Sequence, residues 1–396
     1  MEELLKFAHE LFDTYESYSN HSITTSRFTQ SDMLGWLQQY DGSNFLSKKI
    51  VGASAEGRTI HCYSLGNGAT KVLLWSQMHG DEPTATMALV DILGWFHQHA
   101  EHPVAKLILE KLSLSMIPML NPDGAERFTR RTAYHIDMNR DALALQTPEA
   151  RILKRVRDEI EPMFGFNLHD QDPRLTVGNT KKIAAFAFLA PAIDERRSDN
   201  EVRIRAKHLA SLLATIVGTF APHSIARWDD TYEPRAFGDS IQRWGTSTVL
   251  VESGGWKGDP DKFAIRKLNA VSILTGLYAI ATGAYQQAPL EIYEKIPFNT
   301  QYGFDVLIRN ALFMPKGITV PVRVDVGINV EIVQQGVSDS YRRIARIMDV
   351  GDLSTYTAFE EIDGSSSMLD ERYIYPDFSF PAEDVPLLLK KQKTNS

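Results

Sequence analysis

Lys71-Val-Leu-Leu-Trp-Ser-Gln-Met78-His79-Gly80-Asp81-Glu82-Pro83, continuing to His99 as TATMALVDILGWFHQH, is the stretch on which the fold turns. Lys71 to Met78 is a short apolar run of the kind that fills a strand buried on both faces. From Pro83 to His99 the apolar residues Met87, Leu89, Val90, Leu93 and Phe96 follow helical spacing. A buried strand passing directly into a helix is the unit of an α/β sheet. Between the two stands His79-x-x-Glu82, an imidazole and a carboxylate where the strand ends and the helix starts. Proline suits the first helical position and pushes the residue before it into extended backbone, so Glu82 is expected to turn back toward the strand end. Gly80 lets the turn be tight.

Outward from this unit the pattern repeats. Leu112 to Leu120, Met163 to Leu168, Ile183 to Leu189 and Thr248 to Val251 read as further strands, with helical patterns between several of them. The expected architecture is α/β, an open mixed and largely parallel sheet with helices on both faces. Residues 1 to 47 read as a helical segment packing on that body, with a capping-type Ser31-Asp32 before Met33, Leu34, Trp36 and Leu37. Residues 48 to 285 form the main domain. Beyond residue 286 the chain changes to alternating stretches such as Val320 to Val326, read as a small, mainly β C-terminal domain that ends in a basic polar tail over 387–393.

Length and composition set outer limits. A chain of 396 residues with 43% hydrophobic and 23% charged side chains has the composition of a globular protein with a large core. Its 42 basic and 50 acidic residues leave a net charge of −8, which disfavours nucleic acid and anionic membrane as partners. No apolar run of about 18 residues reads as a membrane span. Cys62 is the single cysteine, which excludes an internal disulfide or thiolate cluster and agrees with a reducing compartment. The start, Met1-Glu2-Glu3-Leu4, lacks the positive charge and apolar core of a secretory signal, and the expected location is cytoplasmic.

Two more acceptors of the right chemistry stand at strand ends: His169 in Phe166-Asn167-Leu168-His169-Asp170, and Glu252 in Val249-Leu250-Val251-Glu252-Ser253-Gly254-Gly255. Ligands of open α/β sheets bind beyond the carboxyl ends of the strands, so residues distant in sequence converge there. Imidazole nitrogen and carboxylate oxygen are ligands that zinc accepts. A positive constellation follows the Leu112 to Leu120 strand: the turn Asn121-Pro122-Asp123-Gly124, then Arg127, Arg130, Arg131 and Asp137-Met138-Asn139-Arg140-Asp141, whose guanidinium groups suit a carboxylate or a polarised carbonyl. The cluster His97, His99 and His102 sits at a helix end, where such residues complement the helix dipole, and is set aside as a site. No G-x-S-x-G elbow supports a serine hydrolase.

Taken in order, Glu56-Gly57-Arg58, His79-x-x-Glu82, Asn121-Pro-Asp-Gly124, Asp137-Met-Asn-Arg140, His169 and Glu252 resemble the zinc carboxypeptidases, or funnelins, over about residues 48 to 285. The resemblance implies one zinc ion held by His79, Glu82 and His169, with Glu252 as general base and acid. It implies Arg130 as the arginine stabilising the oxyanion, Asn139 and Arg140 as the grip on a substrate's terminal carboxylate, and Tyr232 as the tyrosine closing over substrate. The implied activity is removal of a C-terminal residue from a peptide with a free carboxylate. The absence of a disulfide and of an evident propeptide places the chain nearer the bacterial or cytosolic branches. The His79-Gly-Asp-Glu82 form also resembles murein-peptide amidases cleaving γ-D-glutamyl bonds, which together with other zinc deacylases are the alternative. An inactive carboxylate-binding module is a third. For the specificity pocket, Phe237, Asp239 and Gln242 remain open, a Phe favouring an apolar terminal residue and an Asp a basic one.

Overall fold

The computed structural model describes residues 1–334, 341–374 and 378–391. Nine strands are set out along the first three-quarters of the chain: β1 (Ser47–Ala53), β2 (Thr59–Leu65), β3 (Thr70–Ser76), β4 (Leu112–Ile117), β5 (Phe164–Asp170), the two-residue β6 (Thr176–Val177), β7 (Phe186–Leu189), β8 (Ile225–Arg227) and β9 (Ser247–Ser253). All but β6 join one eight-stranded sheet in the order β1-β2-β4-β3-β5-β9-β7-β8. Its middle, β4, β3, β5 and β9, is parallel, while β2 and β7 run antiparallel to β4 and β9. This is the mixed, centrally parallel α/β sheet expected from the apolar runs.

Parallel strands covered on both faces are apolar throughout, and β9 is buried along all seven residues. Helices Thr84–Gln98, Glu201–Phe220 and Phe263–Thr282 belong to one large core, which also takes in Leu4, Phe7, Leu11, Tyr15 and Tyr18 of the N-terminal segment. A smaller core, with Trp75, Leu153 and Phe237, gathers under helix Pro148–Ile160. Helix Phe263–Thr282 is 20 residues long with a mean hydropathy of 1.2, long and apolar enough to cross a membrane, but 78% of that window is buried, as in a core helix.

A buried ion pair ties the N-terminal segment down. Asp91, fully buried, receives Arg266 Nε at 2.7 Å and Nη2 at 2.6 Å, the Tyr15 hydroxyl at 2.5 Å and the Asn20 N–H at 2.8 Å. The helix expected near Ser31-Asp32 runs Gln30–Leu37, and its cap is Thr29, whose side chain accepts the Asp32 N–H while Asp32 accepts the Thr29 N–H.

The chain divides into two compact units, Met1–Pro173 with Ala184–Asn299, and Arg174–Ile183 with Thr300–Ser396. The second holds a seven-stranded sheet built on β11 (Gly303–Phe313), β12 (Val322–Gln334) and β13 (Tyr341–Gly351), preceded by β10 (Asn299–Thr300), a partner of β6. These pair as an antiparallel meander; β14 (Thr357–Asp363) and β15 (Ser367–Leu369) then run parallel to β11, β16 (Ser379–Pro381) pairs with β13, and β17 (Leu389–Lys391) pairs with β15. Ile308, Val326, Ile328 and Ala345 form its core. Of the polar tail expected at 387–393, Leu387 and Leu388 end the short 3-10 helix Ala382–Leu388, Leu389 to Lys391 lie in β17, and 392–393 fall outside the described residues.

Candidate metal centre

The sheet order decides where a site can form. From β3 the chain crosses to β4 on one side, then returns past β3 to β5 on the other, so a crevice opens where β3 and β5 meet at their carboxyl ends. His79 and Glu82 follow β3. His169 and Glu252 stand on the penultimate positions of β5 and β9 as direct cross-strand partners. Both strands run about two residues further than their apolar runs suggest, because the sheet carries its polar site residues inside the hydrogen-bonded ladder.

Local chemistry shapes the loop after β3. Gln77 has a left-handed φ of 49°, and its side-chain amide donates to the Gly80 carbonyl at 3.0 Å. Gly80 presses on the neighbouring loop so closely that a Cβ there would stand 2.0 Å from the Gly124 carbonyl carbon. That loop is the Asn-Pro-Asp-Gly turn, where Asn121 Oδ1 caps helix Pro122–Glu126 through the Gly124 N–H at 2.9 Å. Pro83 occupies the cap position of helix Thr84–Gln98, one residue earlier than expected, and leaves the Glu82 carboxylate facing the crevice.

Three buried side chains converge. His79 Nδ1 lies 2.7 Å from Glu82 Oε1, and His169 Nδ1 lies 2.7 Å from Glu82 Oε2. One ligand atom from each residue falls within 4.8 Å of the others, and among the described residues this is the group of histidine, cysteine and acidic side chains so placed. His79 Nε2 meets Asp137 Oδ1 at 3.0 Å, the carboxylate partner that orients a metal-ligating histidine. The Asp170 N–H donates to Glu82 Oε2 at 3.2 Å.

The cradle demands positive charge. Burial alone lowers the His79 pKa, but Glu82 and Asp137 outweigh it and raise it to about 9. Glu82 is held well below the usual carboxylate range, its burial overcome by His79 and His169. Arg130 Nη1 reaches in, 3.0 Å from His79 Nδ1 and 3.2 Å from Glu82 Oε1, while its Nε and Nη2 hold Asp137 Oδ2 at 3.1 and 3.0 Å. His169 Nε2 is buried without a hydrogen-bond partner, and burial lowers the pKa of the ring. Two imidazole nitrogens and one carboxylate converging on one point are a donor set that fits a divalent ion of zinc's preferences, with a coordination position left over.

Around this cradle lies a cavity of about 410 Å³. Glu252, Arg130, Asn139 and Arg140 line it together with the three ligands. Glu252 is 7% exposed, and its pKa stands well above the usual carboxylate value because of burial and the nearby charges of Glu82 and Asp170. Asn139 Oδ1 accepts the Phe237 N–H at 2.8 Å, which leaves its NH₂ as a donor for a ligand. Arg140 is half-exposed, its Nε 3.7 Å from Glu233 Oε2. Asp137 caps the short helix Met138–Arg140 by accepting the Asn139 N–H at 2.9 Å, so one carboxylate contacts both His79 and the segment that carries Asn139 and Arg140. Tyr232 does not line the cavity, although its neighbours Thr231 and Glu233 do.

Of the three residues left open for specificity, the structure brings Asp239 into the cavity wall, whereas Phe237 and Gln242 are fully buried outside it. Asn167 joins Asp239 there, its Oδ1 buried and without a partner. The signal for Asn167 was present in the sequence: it precedes His169 by two on a strand and so faces the same side. Lys262 had no such signal. Its ammonium reaches Asp170 Oδ2 and the Ser253 carbonyl, both at 3.2 Å, from a backbone with φ of 57°. His102 serves structure, its Nδ1 accepting the Val104 N–H of the helix it caps and its Nε2 meeting Glu10.

Residues 33–159 match the sequence model of the zinc carboxypeptidase family. A probable carboxypeptidase 2 of Arthroderma benhamiae is 30% identical over 147 residues, 35% of this chain and 28% of that protein. Carboxypeptidase SOL1 of Arabidopsis thaliana is 26% identical over 152 residues, 32% of this chain and 30% of the plant protein. The matched stretch thus spans less than a third of the length of either relative. A metallo-carboxypeptidase from Burkholderia cenocepacia shares the fold, with a TM-score of 0.52 at 17% identity over 65% of this chain and 70% of that one. A Pseudomonas aeruginosa metallo-carboxypeptidase superposes with a TM-score of 0.52 at 17% identity over 64% of this chain and 69% of its own.

Proposed function

This chain belongs to the zinc carboxypeptidase family, and from that premise we propose that it hydrolyses the last peptide bond of substrates with a free C-terminal carboxylate. The observation that carries the reading is the convergence of His79, Glu82 and His169 beside a buried Glu252 in one cavity.

His79, Glu82 and His169 would hold a zinc ion, which would supply a Lewis acid able to lower the pKa of a water toward ~7. The remaining work falls to the chain. Glu252, proton-seeking because burial and two neighbouring carboxylates oppose its ionisation, takes the proton of the attacking water and hands it to the leaving amine. Arg130 donates to the carbonyl oxygen as negative charge builds there; one such preorganised donor contributes about 3–4 kcal/mol to lowering a barrier. Asn139 and Arg140 hold the terminal carboxylate, which fixes the scissile carbonyl against Glu252 and Arg130.

Asp239 and the unpartnered Asn167 Oδ1 are both acceptors. They favour a C-terminal side chain bearing an ammonium or guanidinium group. The test is a series of blocked dipeptides ending in Lys, Arg, Phe or Asp, each with a free or amidated C-terminus, together with γ-D-glutamyl peptides. Cleavage of free-carboxylate Lys and Arg substrates, lost on amidation, is the expected result. Equal cleavage of the amides would remove Arg140 from its role and favour a deacylase.

A further inference from the structure

Arg130 is a wall shared by two cavities. Asn139 and Arg140 line the one at the metal centre, whereas Arg131, Thr132 and His135 line a second, of about 380 Å³. The second cavity also contains two carboxylates, and each is already matched. Asp123, fully buried, accepts from the Ser54 hydroxyl at 2.7 Å, Arg58 Nη1 at 2.8 Å and the Glu56 N–H at 2.9 Å. Glu56 is bound by Arg127 Nη2 and by Arg58 Nη1, each at 2.5 Å. Arg130 is spoken for by Asp137.

Arg131 is different. Among the described residues no carboxylate pairs with it, and its Nη1 donates instead to the His135 carbonyl at 3.0 Å. The loop that carries it is closed by the Thr132 N–H to the Ile136 carbonyl at 3.0 Å and the His135 N–H to the Thr132 carbonyl at 2.8 Å. A guanidinium without a counter-charge is therefore held in place at the edge of an open basin, a few residues from the reaction centre.

We infer that the second cavity receives the part of the substrate on the amino side of the scissile bond, and that Arg131 selects an acidic side chain there. The inference rests on the peptidase reading above. With the terminal carboxylate at Arg140 and the scissile carbonyl at Arg130, the amino-side chain starts at the one side chain that lines both cavities. It then meets a wall whose excess charge is positive. Planar guanidinium groups recognise carboxylates through paired hydrogen bonds, so aspartate and glutamate are the side chains this wall suits.

The test uses zinc-loaded protein and peptides of one C-terminal residue, carrying Glu, Ala or Lys at the penultimate position or the one before it. A Glu preference over Lys of about three- to fivefold in kcat/KM, expressed in KM, is the size expected of a partly exposed ion pair. Arg131→Ala should flatten the preference and Arg131→Glu should turn it toward Lys. Because the readout is the ratio between peptides within one protein preparation, partial unfolding of a variant cancels. An unchanged ratio in Arg131→Glu, or no charge preference in the unaltered protein, overturns the inference. If no peptide in the series is cleaved at all, the peptidase reading itself is what fails.

Discussion

Glu82 and His169 meet at 2.7 Å across 87 positions of sequence, with the carboxylate of the first shared between two imidazole rings. Neither residue is near the other until β5 is laid beside β3, so the metal centre is a product of sheet order and not of a local motif. Zinc binding and integrity of the parallel sheet are for this reason linked properties.

That linkage gives the first prediction. Adding zinc to metal-free protein should raise its stability, by about 2.7 kcal/mol when free metal is a hundredfold above Kd. His169→Ala should abolish this gain and leave less than stoichiometric metal. Thermal melts with and without zinc, together with metal quantification, decide it; a variant that binds zinc as tightly as the unaltered protein would remove His169 from the ligand set.

Glu252→Gln should keep the metal and lose turnover by about a thousandfold or more, since the amide preserves shape but cannot take a proton. Comparing kcat with zinc content per chain separates a lost base from a damaged site.

Asp239 carries a pH signature. Its carboxyl is pushed up to about 7 by burial, against 3.8 as the ordinary value; the Glu233 and Asp239 backbone N–H groups oppose the shift and the Glu233 carboxylate adds to it. Within that window the folded protein holds the proton more tightly than the unfolded chain, so the stabilisation from this group is complete below pH 3.8 and drains away as pH rises through about 7. Asp239→Asn should therefore gain stability relative to the unaltered protein between pH 4 and 7, read by denaturant unfolding. In the same direction, KM for a C-terminal Lys substrate should fall as pH rises through about 7 in the unaltered protein and stay flat in Asp239→Asn.

Asp91→Ala should destabilise the fold by about 3–5 kcal/mol, because it strands the Arg266 guanidinium in the interior and releases Tyr15 and Asn20. Limited proteolysis should then cut first within residues 1–40. Tyr15→Phe, which removes one hydrogen bond and keeps the ring, should cost about 1–3 kcal/mol and serves as the milder control.

Much of this was legible in the chain. The strands that build the crevice are continuous apolar runs, and buried parallel strands have no other composition available to them, so β3, β4, β5 and β9 could be marked and their ends searched for ligands. His79, Glu82, His169 and Glu252 followed from that search, and the structure gathers all four. The ion pair of Asp91 with Arg266, 175 positions apart, was not readable, since nothing local distinguishes a buried Asp on a helix from a solvated one. Tyr232 rested on its distance from Glu252 alone, and spacing along an irregular loop does not fix which side chain faces a cavity. Asp239 stood among three alternatives because helix Phe237–Arg243 is too short for its periodicity to show which face points inward.

The excursion Arg174–Ile183, which leaves the first unit just after the His169 strand and joins the second, means that the polypeptide passes from one unit to the other three times. Such interleaving forbids a clean excision. A protein cut after Asn299 would keep ten residues whose partners had been discarded, in the connection that follows a metal ligand. A simple end-to-end fusion at Asn299 therefore cannot transfer the whole of the second unit, because residues 174–183 of it lie inside the span of the first.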